Sequence, residues 1–366
     1  MKLLVPVIRY ALFFADSMFR SACAWAGFFA FAFRSSLNGA ANGDFKNIVI
    51  VQTGGIGDII ICLPVISALR LRYPGAEVVL ITGSAGAAAA VKVFLSEQRI
   101  TVCSSPADAL SSADCIVHLR GNAGFLAAYM KNHRAFFLHG LSHRNALRFS
   151  PLYHAGLVKG KQIKNEHQYV SYRKMLRKAG IETPERPQIN VRPEWVKSLN
   201  ALLRAKEFPA GAPYAVIHSG ARWEPRQWPV KRFAEVAARL WEERGLASIL
   251  IGDETGKELS TLLSEKKARF VDLAGCLDLG ALAALLGGCS IFIGNDSGPA
   301  HIAAAVGARG AVLYGPQSPE LFGVLSDTIA RCRADKYCSP CWQHICPFMP
   351  DNCMSAITLE TIGTVL

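Results

Sequence analysis

Asn47–Gln52 is a short, apolar, β-branched run that meets Thr53-Gly54-Gly55-Ile56-Gly57-Asp58 without a spacer, and an amphipathic stretch continues to Arg72. A strand, a glycine turn and a helix in that order, stopped by Tyr73-Pro74-Gly75 and followed by a second apolar run at Glu77–Thr82, make a βαβ unit. Its parallel strands are buried on both faces, so the chain must supply helices to cover them. A further strand is predicted at 114–119. Prolines then recur between Pro184 and Pro213, with a helix expected between Pro193 and Phe208, and the domain junction is placed there.

The alternation restarts beyond it. Strands are predicted at 214–218, 247–251, 269–273, 289–293 and 310–314, with helices at 230–244, 255–266, 279–286 and 298–306. The expected fold is α/β, with two Rossmann-like, doubly wound parallel sheets facing a cleft. The divisions are an N-terminal segment 1–43, a first domain 44–205 and a second domain 206–366. At 366 residues and 51% apolar, the chain can fill two cores of ordinary size. In such folds ligands sit beyond the C-terminal ends of the strands, so the chemistry belongs in the loops after them.

Residues 1–37 are apolar, with Trp25 and many Phe. Lys2, Arg9, Asp16, Arg20 and Arg34 are spaced so that, at 100° per residue, all fall within about 40° of one another on a helix. That pattern predicts an amphipathic helix lying in a membrane interface, whose removal should shift the protein from membrane to soluble fractions. A short snorkelling anchor and a helix packed on another subunit are the competing readings. The formal charge of +12 is concentrated between Cys115 and Gly180, where twelve Lys/Arg face one acid, Glu166. An anionic partner is expected for this surface, the alternative being an ordinary solvated basic face. No nucleic-acid-binding motif or aromatic stacking pattern accompanies the charge, which argues against a nucleic-acid partner.

Three loop motifs carry chemistry. The Gly54, Gly55, Gly57 turn lets backbone approach a ligand, and it ends on Asp58, which either handles a proton or caps the helix. It is neither a dinucleotide fingerprint nor a P-loop, so nicotinamide chemistry and ATP hydrolysis are not supported. His218-Ser219-Gly220-Ala221-Arg222-Trp223-Glu224-Pro225-Arg226-Gln227-Trp228-Pro229 offers two guanidinium groups suited to a diphosphate. Gly294-Asn295-Asp296-Ser297-Gly298-Pro299-Ala300-His301 opens a helix whose first amides and positive dipole end suit a phosphate.

Together, with Leu313-Tyr314-Gly315-Pro316 after the last strand, these motifs resemble the heptosyltransferase family (glycosyltransferase family 9), from about Asn47 onward. The resemblance implies a GT-B fold and inverting transfer of heptose from an ADP-sugar to a lipopolysaccharide core acceptor, at the cytoplasmic face of the inner membrane and without a required cofactor. By the same resemblance Asp58 matches the general base, and Arg226, where the family commonly has Lys, faces the leaving diphosphate. Ser219, Gly220, Arg222, Asp296, Ser297, Gly298 and His301 fall to the donor, and Gly54, Gly55 and Gly57 to the acceptor-side loop. A sugar-nucleotide epimerase or hydrolase and an inactive scaffold are the other readings of the fold.

Eleven cysteines is an odd count, and those in apolar runs read as reduced, packed thiols. Cys338-x2-Cys341-x4-Cys346-x6-Cys353 stands apart. It is compatible with reduced structural thiols, with a Zn or other metal site, or with disulfides, although the long spacer of a two-knuckle zinc motif is missing.

Overall fold

The computed structural model describes residues 44–103, 106–120, 136–139, 166–252, 256–341 and 345–363. They form two compact units. One takes the chain up to Gly55 and from Val65 to Thr183; the other takes Ile56–Pro64 and everything from Pro184 onward.

In the first unit, β1 (Asn47–Gln52), β2 (Glu77–Thr82), β3 (Ile100–Cys103), β4 (Cys115–Arg120) and β5 (Phe136–His139) form a sheet in the order β3-β2-β1-β4-β5. Every pairing is parallel. Val49, Val51, Ile81 and Ile116 build its core with Leu110 and Ala113, as expected for strands covered on both faces. Helix α1 (Ile56–Arg72) follows β1 and ends on Arg70 and Arg72, basic side chains that complement its C-terminal dipole. Pro64 lies inside this helix, and the two units part there, where one helical hydrogen bond is necessarily missing. Helices α2 (Ala85–Phe94), α3 (Pro106–Ser111) and α4 (Gln168–Lys178) complete the unit's described helices.

The second unit holds β6 (Tyr214–His218), β7 (Ala247–Ile251), β8 (Phe270–Asp272), β9 (Ile291–Asn295), β10 (Gly310–Tyr314) and β11 (Ile329–Arg333). They are parallel, in the order β11-β10-β9-β6-β7-β8. Its helices are α5 (Pro193–Ala205), α6 (Val230–Arg244), α7 (Gly256–Glu265), α8 (Leu279–Gly288), α9 (Gly298–Ala305), α10 (Pro319–Phe322) and α11 (Leu359–Gly363). α6 ends at Gly245 in the left-handed region (φ 64°), the conformation that favours glycine after a helix.

The units change over after Thr183, ahead of the junction read at 205. The reason is α5, which buries Leu199 and Leu203 and packs on α8. A Cβ at Gly280 would come within 2.7 Å of the Trp195 ring, so the two helices approach where a side chain is missing. Strand β9 starts and ends later than expected, because Cys289 belongs to the turn after α8 and the strand runs on into Asn295. The amphipathic helix expected over 1–37 and most of the basic segment, 121–135 and 140–165, lie outside the described residues. Among the described residues no helix is long and apolar enough to cross a membrane.

Candidate functional site

In each sheet the strand order reverses beside the first strand, between β1 and β4 in one unit and between β6 and β9 in the other. Such switch points leave a crevice beyond the strand ends. At the second, His218 lies opposite Gly294 and the two loop motifs leave the sheet side by side. Asn295, fully buried, ties them together. Its Oδ1 accepts from the Trp228 backbone N–H (3.1 Å) and its Nδ2 donates to the Ser219 carbonyl (2.7 Å). Trp228 is itself buried. Its indole N–H donates to the Ile357 carbonyl (3.0 Å) and its ring meets Phe233 edge-on at 5.0 Å. A buried side-chain amide with both ends satisfied costs little, and it fixes the loop from 219 to 228 onto β9.

Arg226 closes the short 3₁₀ turn Glu224–Arg226 inside that loop. Its Nη2 donates to the Asp296 carbonyl (2.5 Å) and to Asp296 Oδ2 (2.6 Å), and its guanidinium stands over the Trp223 ring at 5.3 Å. The two side chains are 15% and 8% exposed, so the pair is largely removed from solvent screening. Arg226 Nε is buried and has no hydrogen-bond partner among the described residues.

Helix α9 begins beside this pair. Ser297 occupies its cap position in extended conformation, yet its hydroxyl does not cap the helix. It donates instead to the Asn295 carbonyl (3.0 Å) and stands 3.1 Å from His218 Nδ1. With Pro299 in the first turn, the helix presents amides that no capping side chain occupies, the arrangement that receives anions. His301 is buried, with Nε2 3.9 Å from Asp296 Oδ1. Burial pushes its proton affinity below the ordinary range; the carboxylates of Asp296 and Asp58 act against that, and Arg226 adds to it.

Asp58 is the third residue of α1, within the first turn rather than at the cap. The first turn of α1 belongs to the same unit as α9. A Cβ at Gly57 would lie 2.6 Å from His301 Cδ2, and one at Gly298 would lie 3.1 Å from Ile56 Cβ. The second unit therefore gathers Gly57, Asp58, Arg226, Asp296, Ser297, Gly298 and His301. Ser219 and Gly220 are buried beneath them, whereas Arg222 is exposed on its loop. Gly54 and Gly55 fall in the other unit, where the Gly54 N–H donates to Gln52 Oε1 (3.1 Å). Asn295 and His218 were not singled out from sequence as site residues. The available signal was a polar residue closing each of two apolar strands. Among the described residues no group of three or more His, Cys, Asp or Glu side chains could hold a metal ion, and no disulfide joins the described cysteines.

These features define an α/β protein of two parallel-sheet units, the second carrying a buried arginine–carboxylate pair and an anion-receptive helix end at its switch point. The chain belongs to glycosyltransferase family 9 (heptosyltransferase), whose family model matches residues 125–350. It is 28% identical over 140 residues to lipopolysaccharide heptosyltransferase 1 of Pseudomonas aeruginosa, a stretch covering 38% of this chain and 39% of that relative. The chain thus spans about two fifths of the length of that curated relative. Among solved structures it is similar to a glycosyl transferase family 9 protein from Veillonella parvula, with a TM-score of 0.64 and 18% identity over 88% of this chain and 96% of that one. It is also similar to an E. coli heptosyltransferase with ADP-2-deoxy-2-fluoro heptose, with a TM-score of 0.59 and 19% identity over 87% and 98% of the two chains. At these identities the structures establish the shared fold.

Proposed function

We propose that this chain is an inverting glycosyltransferase that moves heptose from ADP-heptose to a lipopolysaccharide core acceptor. The observation that carries the reading is the Arg226–Asp296 pair set against the uncapped start of α9, with Asp58 and His301 in the same unit. A nucleoside diphosphate matches that combination of guanidinium and helix amides. The fold-level likeness to a heptosyltransferase with an ADP-heptose analogue supports the choice of donor. The acceptor is taken from the curated relative's name.

In the proposed reaction the acceptor is assigned to the unit that carries Gly54 and Gly55. Asp58 takes the proton of the acceptor hydroxyl as its oxygen attacks the anomeric carbon. The bond from that carbon to the diphosphate oxygen breaks, the electron pair leaves with ADP, and Arg226 with the α9 amides receives the growing charge. Configuration inverts in one displacement, without a covalent enzyme intermediate. Ser219, Gly220, Arg222, Ser297, Gly298 and His301 complete the donor side. A lipid-borne acceptor places the enzyme at the cytoplasmic face of the inner membrane, consistent with the apolar sequence of residues 1–37.

The test is product mass and donor consumption with ADP-heptose and a Kdo–lipid A acceptor, for the wild type and Asp58→Ala. The expected result is a heptosylated product whose rate falls about 10²–10⁴-fold in the variant. Donor consumption without acceptor would favour a hydrolase, and an unimpaired variant would remove Asp58 as the base.

A further inference from the structure

His218 closes β6 and is 6% exposed, a polar side chain set into the end of the sheet. It pairs with Gly294 of β9 on one side and with Ile251 of β7 on the other. Glycines flank its side chain in both directions. A Cβ at Gly294 would come within 3.1 Å of His218 Cβ, and one at Gly252, which follows β7, would come within 3.4 Å of His218 Cδ2. Gly252 holds φ at 134°, a conformation that other residues rarely adopt, so the ring rests against backbone there. Packing on both sides fixes the ring, and with it the direction of its hydrogen bond.

That direction follows from counting protons. Ser297 Oγ lies 3.1 Å from His218 Nδ1 and 3.0 Å from the Asn295 carbonyl. A hydroxyl has one proton and a carbonyl can only accept, so Ser297 donates to Asn295 and accepts from the Nδ1–H of His218. The consequence is felt at α9. Ser297 stands at the cap position with extended backbone, as cap residues do, and it is the side chain alone that fails to cap. Pro299, at the second helical position, has no N–H, so the amide that a capping serine would take is that of Ala300, at the third. The next amide, of His301, already donates to the Ser297 carbonyl (3.4 Å). Without the histidine, rotation about the Cα–Cβ bond brings the Ser297 hydroxyl onto Ala300, beside the residue that Arg226 grips.

We propose that His218 is a positioning residue for the donor diphosphate: its Nδ1–H holds the Ser297 hydroxyl off the start of α9, so that the Ala300 amide is kept for a phosphate oxygen. In this role His218 touches neither the substrate nor the reacting atoms and acts through Ser297. The inference rests on the reading that this switch point binds ADP-heptose, and it adds the device that keeps the helix end open.

Calorimetric titration of ADP into the full chain and a set of variants tests it. His218→Ala is expected to weaken ADP binding about five- to tenfold, the worth of one capping hydrogen bond set in competition with the ligand. His218→Asn, whose Nδ2–H stands as many bonds from Cβ as the histidine Nδ1–H, should recover most of the loss; His218→Gln, with its amide one bond farther out, should not. The decisive readout is the same alanine substitution in a Ser297→Ala background. With no hydroxyl to swing onto the helix, His218→Ala should there change ADP affinity by less than about twofold. Urea unfolding shows which variants are folded, and the contrast between Asn and Gln carries the test alone if the alanine variant is not. A His218→Ala loss that persists in the Ser297→Ala background, or equal affinity in the Asn and Gln variants, assigns the histidine to packing and overturns the proposal. Wild-type affinity in His218→Ala beside an impaired Arg226→Ala overturns it and leaves the donor reading standing, whereas a wild type that binds no ADP overturns both.

Discussion

The two switch points solve the same topological problem with different materials. Between β1 and β4 the strand ends are joined mainly through backbone, with the Thr53 hydroxyl also donating to the Arg120 carbonyl (3.4 Å). The Thr53 N–H donates to the Arg120 carbonyl (2.9 Å), the β1–β4 register shifts at Val51/Gln52, and Gly83 leaves room for the Thr53 carbonyl, which a Cβ there would approach to 2.2 Å. Between β6 and β9 the joining is done by side chains: Asn295 to Trp228 and Ser219, Ser297 to the Asn295 carbonyl, Arg226 to Asp296. A crevice built from a buried ion pair holds charge in place before the ligand arrives, so no reorganisation is required at the moment of reaction. On this account the second crevice is the one matched to a diphosphate.

That contrast can be broken most decisively at Arg226. Arg226→Ala removes the cation and leaves Asp296 a nearly buried, unpaired carboxylate. Turnover with ADP-heptose should fall about 10²–10³-fold, as when one preorganised donor to a developing charge is lost. Arg226→Lys should recover part of the rate, since it keeps the charge but not the planar fork. A variant with wild-type turnover would place the diphosphate elsewhere.

Asn295→Ala tests whether side chains, rather than backbone, hold the second crevice together. It strips the Trp228 N–H and the Ser219 carbonyl of their buried partner, and urea unfolding should show a loss of about 2–4 kcal/mol. A loss within the range of an ordinary surface substitution would show that the bridge is dispensable.

The smallest expected effect is on pH dependence. Burial keeps His301 neutral to a lower pH than an unfolded histidine, whose ordinary value is near 6.5. As pH falls through about 6.5 the unfolded chain therefore binds more protons than the folded one, and stability declines. The contribution is fully present above that value. His301→Gln should flatten this part of the urea-midpoint profile, and identical slopes in the two proteins would contradict the account.

Much of this was legible in the sequence, for identifiable reasons. Strands β1, β2, β6, β7 and β10 run between the residues predicted, because each is a β-branched apolar run bounded by a turn or a helix cap. β3, β5 and β11 were missed: all three are sheet-edge strands, and Ile100–Cys103 has no fully buried residue to mark it by apolar content. Asp296, Ser297 and His301 were legible from their motif, and the structure brings them together. The role of Asn295 was not, since its partners are 67 and 76 residues away in sequence and only the β6–β9 pairing makes them neighbours. The hydroxyl of Ser297 was also beyond reach. A serine at a helix start normally caps it, and here the Asn295 carbonyl takes its proton instead.

The central claim is that the second switch point binds the donor diphosphate while Asp58 acts on the acceptor. Calorimetric titration of ADP into the wild type, Arg226→Ala and Asp58→Ala separates these roles in one experiment. The account predicts that Arg226→Ala weakens ADP binding at least about tenfold, roughly 1.4 kcal/mol, while Asp58→Ala binds ADP as the wild type does. Undiminished binding by Arg226→Ala, or loss of ADP binding in a folded Asp58→Ala, would contradict it.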